Sequence, residues 1–528
     1  MIPNPKTFHL FLFLCLLLLT TGVANAQTKL FKAVAEDMDQ STEPIIQDGN
    51  LMGYLVFTQL EKASADSFNY RLTIMDENLN DIGTVDFRDE KLNLKGVSFE
   101  QDILCLTYIK SNFVGKIYRN AKEFRKDIDN ARTSLYTQFL NLSGKIIATN
   151  KIKMEIKPES NQVWSNSGKV VGNGRLKHPV QLRNIAGTGF ACFYGDDNKN
   201  NLAVFNTAGK LLWQRQVKDD ATDVGMLTSG SEISLLIKMK EEMKEGGFAV
   251  LSYNAVDSTV YPKFLLKDKK GNSLKVLTFE NDPVSGKPYL AGMVIDPRHG
   301  NHFGNGKSLA RGPYCGLFTI NLDGHTKKDI KPQFSYWNDG SQAIMDADGY
   351  CKENRKYANI ERAFRDYQGN TIFAACGVVR NVRWGAIAFS TVMLPTVFIP
   401  ALCLGSGIHN FAFRDILLIK QDAAGKLSLA ATVPTRKTNV FPSGDPISWY
   451  DPNGYFALNN SATHTQYLII DKAKDIDIYN VNQNKVARTI KHKDGNNTVS
   501  VLPAKEGSVA VREYNTKDRS VRMSIEPL

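Results

Sequence analysis

The sequence predicts an all-β ring of blades, a seven-bladed β-propeller with room for an eighth. Three observations predict it. A short hairpin signature recurs along the chain, its copies stand at a nearly regular spacing, and strand-like runs fill most of the intervals between them.

The signature is clearest at Phe205-Asn206-Thr207-Ala208-Gly209-Lys210-Leu211-Leu212-Trp213. A strand runs into Asn206, the chain turns through Thr207 to Gly209, and a second strand leaves. Asn and Gly tolerate positive φ, so they mark a tight hairpin between the two runs. The same pattern stands at Leu140–Ile147 and Ile320–Gly324, with looser copies at Ile74–Leu79, Leu266–Gly271, Lys420–Leu427 and Tyr479–Val486. Gly144, Gly209, Gly271 and Gly324 are separated by 65, 62 and 53 residues, and Gly324 and Gly425 by 101. Ordinary four-stranded blades need roughly 40–45 residues, so these carry long loops. Seven markers give seven blades, and the wide interval leaves room for an eighth. Ser508–Val511 and Val521–Ile525 read as one more hairpin, and Lys29–Val34 is a candidate to pair with it across the seam. Separate β-sandwiches are the runner-up, disfavoured because no Pro/Gly/Ser-rich linker divides residues 27–528.

Residues 1–26 read as a secretory signal peptide. Lys6 gives a positive start, Leu10–Leu19 an apolar core too short to span a bilayer, and Ala24-Asn25-Ala26 a small-residue cleavage site. Cys15 lies inside the apolar run and reads poorly as an acylation site. The expected product begins at Gln27 and is exported to the periplasm or cell envelope. The formal charge is +11, of which the signal carries only Lys6. So modest an excess, mixed with 54 acidic side chains, argues against nucleic acid as a partner and leaves an anionic envelope surface open. Six cysteines remain: Cys105, Cys192, Cys315, Cys351, Cys376 and Cys403. An even count permits disulfides, but Cys105, Cys192 and Cys376 sit in strand-like runs, where cysteine acts as a small core residue.

Two stretches break the strand pattern. From Lys116 to Asn130 apolar residues recur at Ile117, Ala121, Phe124, Ile128, Ala131 and Leu135, the period of an amphipathic helix, within an insertion at 115–133. Its other face carries Lys116, Arg119, Lys122, Arg125, Lys126 and Arg132: a solvated face, or one touching anionic lipid or glycan. The second break, 385–413, contains no Lys, Arg, Asp or Glu. Val392, Met393, Leu394, Val397, Phe398, Ile399 and Leu402 would together cost roughly 10–20 kcal/mol to leave in water. Pro395 and Pro400 interrupt any spanning helix. Residues 386–404 are therefore expected to be buried, to dock a partner, or to make a peripheral membrane contact.

Chemistry-bearing constellations are sparse. His299 and His302 have a metal-like spacing without an evident third ligand. Gly306-Lys307-Ser308 departs from a phosphate-binding loop at Asn301 and is followed by Gly312-Pro313 rather than a helix. Asp346 and Asp348 flank a glycine turn, too few oxygens for calcium. No G-x-S-x-G, H-E-x-x-H or C-x-x-C occurs. No cofactor is evident. Trp164, Trp337 with Asn338 and Asp339, and Trp449 with Asp451 place an aromatic before polar turn residues. These are candidates for binding sugar rings on one face, or for packing blade against blade.

The hairpin copies resemble the degenerate blades of exported bacterial propeller proteins and are similar in pattern to WD-like and quinoprotein-like repeats, without the Trp-Asp endings of true WD blades. The resemblance implies a propeller over nearly all of 27–528 and does not choose between binding and catalysis. The expected function is a non-catalytic envelope scaffold binding a glycan, peptide or protein. The alternative is a polysaccharide- or peptide-cleaving hydrolase or lyase using carboxylates such as Asp339, Asp346 or Asp348.

Overall fold

The computed structural model describes residues 27–31, 40–47, 50–64, 67–114, 116–118, 120–156, 170–171, 178–196, 199–217, 221–239, 247–296, 314–326, 328–339, 344–382, 409–435, 438–440, 454–460, 463–472, 474–518 and 520–528. Its strands pair into eight antiparallel blades. From the axis outward, the first blade is Gln40–Gln47, Asn50–Lys62, Phe68–Asp76 and Asp81–Asp89. The second is Leu92–Glu100, Ile103–Ser111, Thr133–Asn141 and Ile146–Met154, and the third His178–Ile185, Gly189–Gly195, Asn200–Asn206 and Leu211–Val217. The fourth to seventh occupy 221–266, 274–336, 350–440 and 454–491.

The eighth blade closes the ring. Asn497–Pro503, Ser508–Asn515 and Ser520–Pro527 come from the C-terminus, and Gln27–Phe31 adds the outermost strand, Phe31 opposite Val521 and Gln27 opposite Ile525. Of the expected seven blades with room for an eighth, the ring has all eight. The additional blade lies at this seam and not in the Gly324–Gly425 interval, which belongs to a long sixth blade. The Leu266–Gly271 marker falls between the fourth and fifth blades, and the fourth blade turns instead at Asn254–Thr259.

Hydrophobic burial between blades holds the ring. In Tyr54-Leu55-Val56-Phe57, Leu55 and Phe57 pack on Leu104, Leu106 and Tyr108 of the second blade, whereas Tyr54 and Val56 pack on Val521, Met523 and Ile525 of the eighth. Successive strand residues point to opposite faces, so a strand buried on both sides reads as a continuous apolar run. Comparable clusters join each neighbouring pair of blades around the ring. Outer strands show the contrast: along Asp81–Asp89 exposure alternates.

The repeated signature has a physical basis. In most of these turns the first Asn or Asp accepts backbone N–H groups from within it: Asp76 Oδ1 from Asn78 and Asn80, Asn206 Oδ1 from Lys210, Asp422 Oδ1 from Ala424 and Lys426. Asn321 Oδ1 is the exception, buried with no hydrogen-bond partner among the described residues. Gly209, at φ 77°, then lets the turn lie against the preceding blade, where a Cβ would stand 2.5 Å from the Ala148 Cβ. Asn150 Nδ2 donates to the Gly209 carbonyl at 2.8 Å. The motif is therefore a docking device between blades as well as a turn.

The helical insertion is shorter than the periodicity predicts. The helix runs Ala121–Asp129, capped by Asn120, whose side chain accepts from the Glu123 N–H. Ile117–Tyr118 is a short strand, and Thr133 already belongs to the second blade. Phe124 and Ile128 pack against the core between the second and third blades.

Candidate ligand-binding face

The two ends of the ring differ. Hairpins joining first to second and third to fourth strands lie at one end, the turn face, and none exceeds the nine residues 255–263. Connections from second to third strands, and from blade to blade, join strand ends at the other. The stretches 112–132, 155–177, 296–313, 337–349, 383–408 and 434–453 link such ends, each partly or wholly outside the described residues. In the sixth blade the second and third strands run on as a ribbon to Val382 and His409, which pair with one another. Long connections on a rigid scaffold are where binding residues concentrate.

On this loop-bearing face the second blade forms a groove of about 580 Å³. Lys110 comes from the end of its second strand, Arg132 and Ser134 from around the start of its third, and Lys151 and Lys153 from its outer strand. Buried Met154 and Ile156 are among the lining residues. Lys110 pairs with Asp89 and stands 5.3 Å from the centre of the Tyr136 ring. Arg132 pairs with Glu90 at 3.0 Å. Lys151 and Lys153 form no ion pair among the described residues, and as strand positions two apart they share one side. A smaller hollow of about 250 Å³ continues past Lys153 and Glu155 to Lys199, Asn201 and Tyr194 of the third blade. Gln214 donates to the Tyr194 hydroxyl at 2.8 Å. Burial, more than any neighbouring charge, raises the Tyr194 and Tyr136 hydroxyls above the usual phenol range and keeps both protonated.

The helix borders the same face. Asn112 ties it down, donating to the carbonyls of Asp127 and Asn130 and accepting from the Arg132 N–H. Lys116 is held by Asp127 at 2.6 Å, while Lys122, Arg125 and Lys126 face solvent.

The residues singled out from sequence disperse. Trp337 is 3 % exposed, packed in the core between the fifth and sixth blades, and its Nε1 donates to the Tyr314 carbonyl at 3.1 Å. Its ring therefore serves blade packing, while Asn338 and Asp339 beside it are exposed. Asp346 Oδ1 accepts the N–H groups of Asp348 and Tyr350, both at 2.9 Å, as a side-chain-capped turn through Gly349. Trp164, Trp449, Asp451, His299, His302, Val392, Met393, Leu394, Val397, Phe398, Ile399 and Leu402 lie outside the described residues, as does the signal segment. Cys105, Cys192, Cys315, Cys351 and Cys376 form no disulfide with one another. Sequence reasoning missed the groove because its cations come from three separated strands; the alternation Lys151-Ile152-Lys153-Met154 was the available signal.

One run of side chains on the turn face resembles catalytic wiring. Ser252 and Ser234 hydroxyls lie 2.8 Å apart, Ser234 donates to Glu232 at 2.9 Å, and His325 Nε2 stands 3.2 Å from the other Glu232 oxygen. The acid stands between hydroxyl and imidazole, so the imidazole cannot take the serine proton. Both serines are buried, and His325 stacks on Tyr261 with ring centres 3.5 Å apart. The cluster couples the fourth and fifth blades. Burial raises the carboxyls of Glu43 and Glu280 above their usual range; neither is among the aspartates considered for catalysis. Among the described residues no group of three or more His, Cys, Asp or Glu is placed to hold a metal ion, and no helix is long and apolar enough to cross a membrane.

Residues 7–153 match the model of a family of unknown function, DUF6770. No curated protein matches the chain. Solved structures similar to it include the WD40 domain of SCAP from fission yeast, at 9 % identity over 93 % of this chain and 98 % of that one, with a TM-score of 0.37. The Dos1 propeller matches at 8 % identity over 88 % and 90 %, TM-score 0.40. A europium-containing methanol dehydrogenase matches at 8 % identity over 96 % and 94 %, TM-score 0.41. The eight-bladed ring rests on its own strand pairing and blade-to-blade packing.

Proposed function

We propose that this protein is a non-catalytic exported propeller that binds an acidic glycan at the cell envelope through its loop-bearing face. The observation that carries the reading is the groove of the second blade, where Lys151 and Lys153 form no ion pair among the described residues. Beside them Lys110 and Arg132 are paired with Asp89 and Glu90, and Glu155 is on the same lining. Two lysines two residues apart on a strand present charges about 7 Å apart. That spacing suits a chain bearing a carboxylate at regular intervals. Ser134 and Thr133 line the same wall but are buried, the Thr133 hydroxyl 3.1 Å from that of Ser111.

Titration of the purified protein with oligogalacturonate and with a neutral oligosaccharide of equal length tests this. Binding of the acidic chain alone, weakening about tenfold or more from 50 to 300 mM salt, is the expected result, because screening shortens the reach of exposed charges. Equal binding of both chains, or of neither, contradicts it. Release of new reducing ends, lost in Asp339→Asn or Asp346→Asn, would instead make the protein a hydrolase or lyase.

A further inference from the structure

Among the described residues, seven of the thirteen large exposed apolar side chains stand at the outer turns of the first four blades. In the first three blades the outer strand carries a β-bulge immediately after its turn, and the extra residue is Ile82, Ile147 and Leu212 respectively. The three are 42 %, 43 % and 42 % exposed. Ile146 and Leu211, their neighbours, are also exposed, and Val256 and Val260 continue the row at the corresponding turn of the fourth blade. Single exposed aliphatics are ordinary, but a row at equivalent positions of three consecutive blades, extended by the turn of the fourth, is a patterned surface.

In the second and third blades the dyads carry their own cation: Gly144-Lys145-Ile146-Ile147 and Gly209-Lys210-Leu211-Leu212. Lys145 and Lys210 are exposed and form no ion pair among the described residues. Their backbone N–H groups are fixed by Asn141 Oδ1 at 2.9 Å and Asn206 Oδ1 at 2.8 Å. The turns are rigid because Gly144 and Gly209 lie against the preceding blade, where a Cβ would stand 2.6 Å from Val85 Cγ2 and 2.5 Å from Ala148 Cβ. The corresponding residue after the sixth blade's turn, Leu427, is buried, and Val486 at that place in the seventh is 43 % exposed. The pattern is therefore not a property of every blade and runs unbroken only over the first four.

We propose that this arc of the turn face seats the propeller on an anionic lipid surface. Ile146, Ile147, Leu211 and Leu212 would enter the headgroup–acyl boundary, and Lys145 and Lys210 would meet lipid phosphates. Among the described residues no turn on that face exceeds nine residues. Aliphatic tips with interleaved lysines match the chemistry of an interfacial anchor, which joins apolar burial to attraction for anionic lipids. A protein partner would call instead for a central pocketed cluster with aromatic anchors, and the row has neither. The contact is independent of the groove, which opens on the opposite face.

Co-sedimentation with vesicles of phosphatidylcholine alone and of phosphatidylcholine with phosphatidylglycerol tests it. The intact protein is expected to pellet with the anionic vesicles and to be released by high salt. Ile147→Ser/Leu212→Ser and Lys145→Glu/Lys210→Glu each should cut the bound fraction at least tenfold with an unchanged melting temperature. No pelleting, equal pelleting with both vesicles, or pelleting insensitive to both variants and lost only on removing residues 386–404 would overturn it. The groove variants Lys151→Ala and Lys153→Ala should leave vesicle binding unchanged.

Discussion

Arg365 of the sixth blade lies 2.9 Å from Asp282 of the fifth, with side chains only 9 % and 10 % exposed. The guanidinium also stands 4.5 Å over the Tyr289 ring, and Gln466 of the seventh blade donates to the Arg365 carbonyl at 2.6 Å. Three successive blades thus converge on one residue. Breaking a buried pair by removing one partner leaves an uncompensated charge, at about 3–5 kcal/mol. Arg365→Met should therefore destabilise the fold by about that amount in urea unfolding, and more than the double variant Arg365→Met/Asp282→Leu.

The same pair predicts a pH dependence. Burial alone would raise the Asp282 carboxyl, but the N–H groups of Ser285 and Val284 and the Arg365 guanidinium outweigh it and hold it below the usual range. A carboxyl depressed in the folded state contributes stability above its unfolded pKa of about 3.9 and loses it as pH falls through the folded value. The melting temperature of the native protein should fall more steeply below pH 4 than that of Asp282→Asn.

Two glycine substitutions separate docking from conformation. Gly209 and Gly271 have φ of 77° and 82°, but a Cβ at Gly209 meets Ala148 and Phe139, whereas at Gly271 it meets open space. Gly271→Ala should cost about 1 kcal/mol for the backbone alone. Gly209→Ala should cost about 1–3 kcal/mol more from overpacking. Equal losses in thermal melting would refute the docking role of the turn.

Seam closure predicts where the ring opens. Gln27–Phe31 covers the strand Ser520–Pro527, and Met523 is fully buried beneath it. Met523→Ala should cost about 2–5 kcal/mol. Hydrogen exchange should show protection lost first at 520–527.

The core thiols should be inert. Burial pushes the Cys192 thiol up to about 12 and the Cys105 thiol well above its ordinary value. Iodoacetamide at pH 8 should leave both unmodified in the folded protein and alkylate them in guanidinium, since the thiolate is the nucleophile.

Much of the ring is legible in the sequence because an Asn or Asp that caps its own turn must be written locally: Asn141, Asn206 and Asp422 mark outer hairpins by side-chain chemistry alone. The same chemistry misleads at Asp268, whose oxygens cap a turn between blades with equal geometry. The eighth blade is harder to count because its last hairpin, Asn515-Thr516-Lys517-Asp518, lacks glycine and its outer strand comes from the opposite end of the chain. Trp337 precedes polar residues in sequence yet faces the core, since the turn directs only the residues after it. The groove is invisible locally because Lys110, Arg132 and Lys151 meet only after three strands pair.

The most direct test of the proposed function is calorimetric titration of oligogalacturonate into the native protein and into Lys151→Glu/Lys153→Glu. These side chains are exposed on an outer strand, so the variant should keep the native melting temperature within a few degrees. Saturable binding to the native protein, weakened at least tenfold in the variant, is the predicted result. Native-like affinity in a folded variant, or no heat with either protein, would contradict a glycan site on the loop-bearing face.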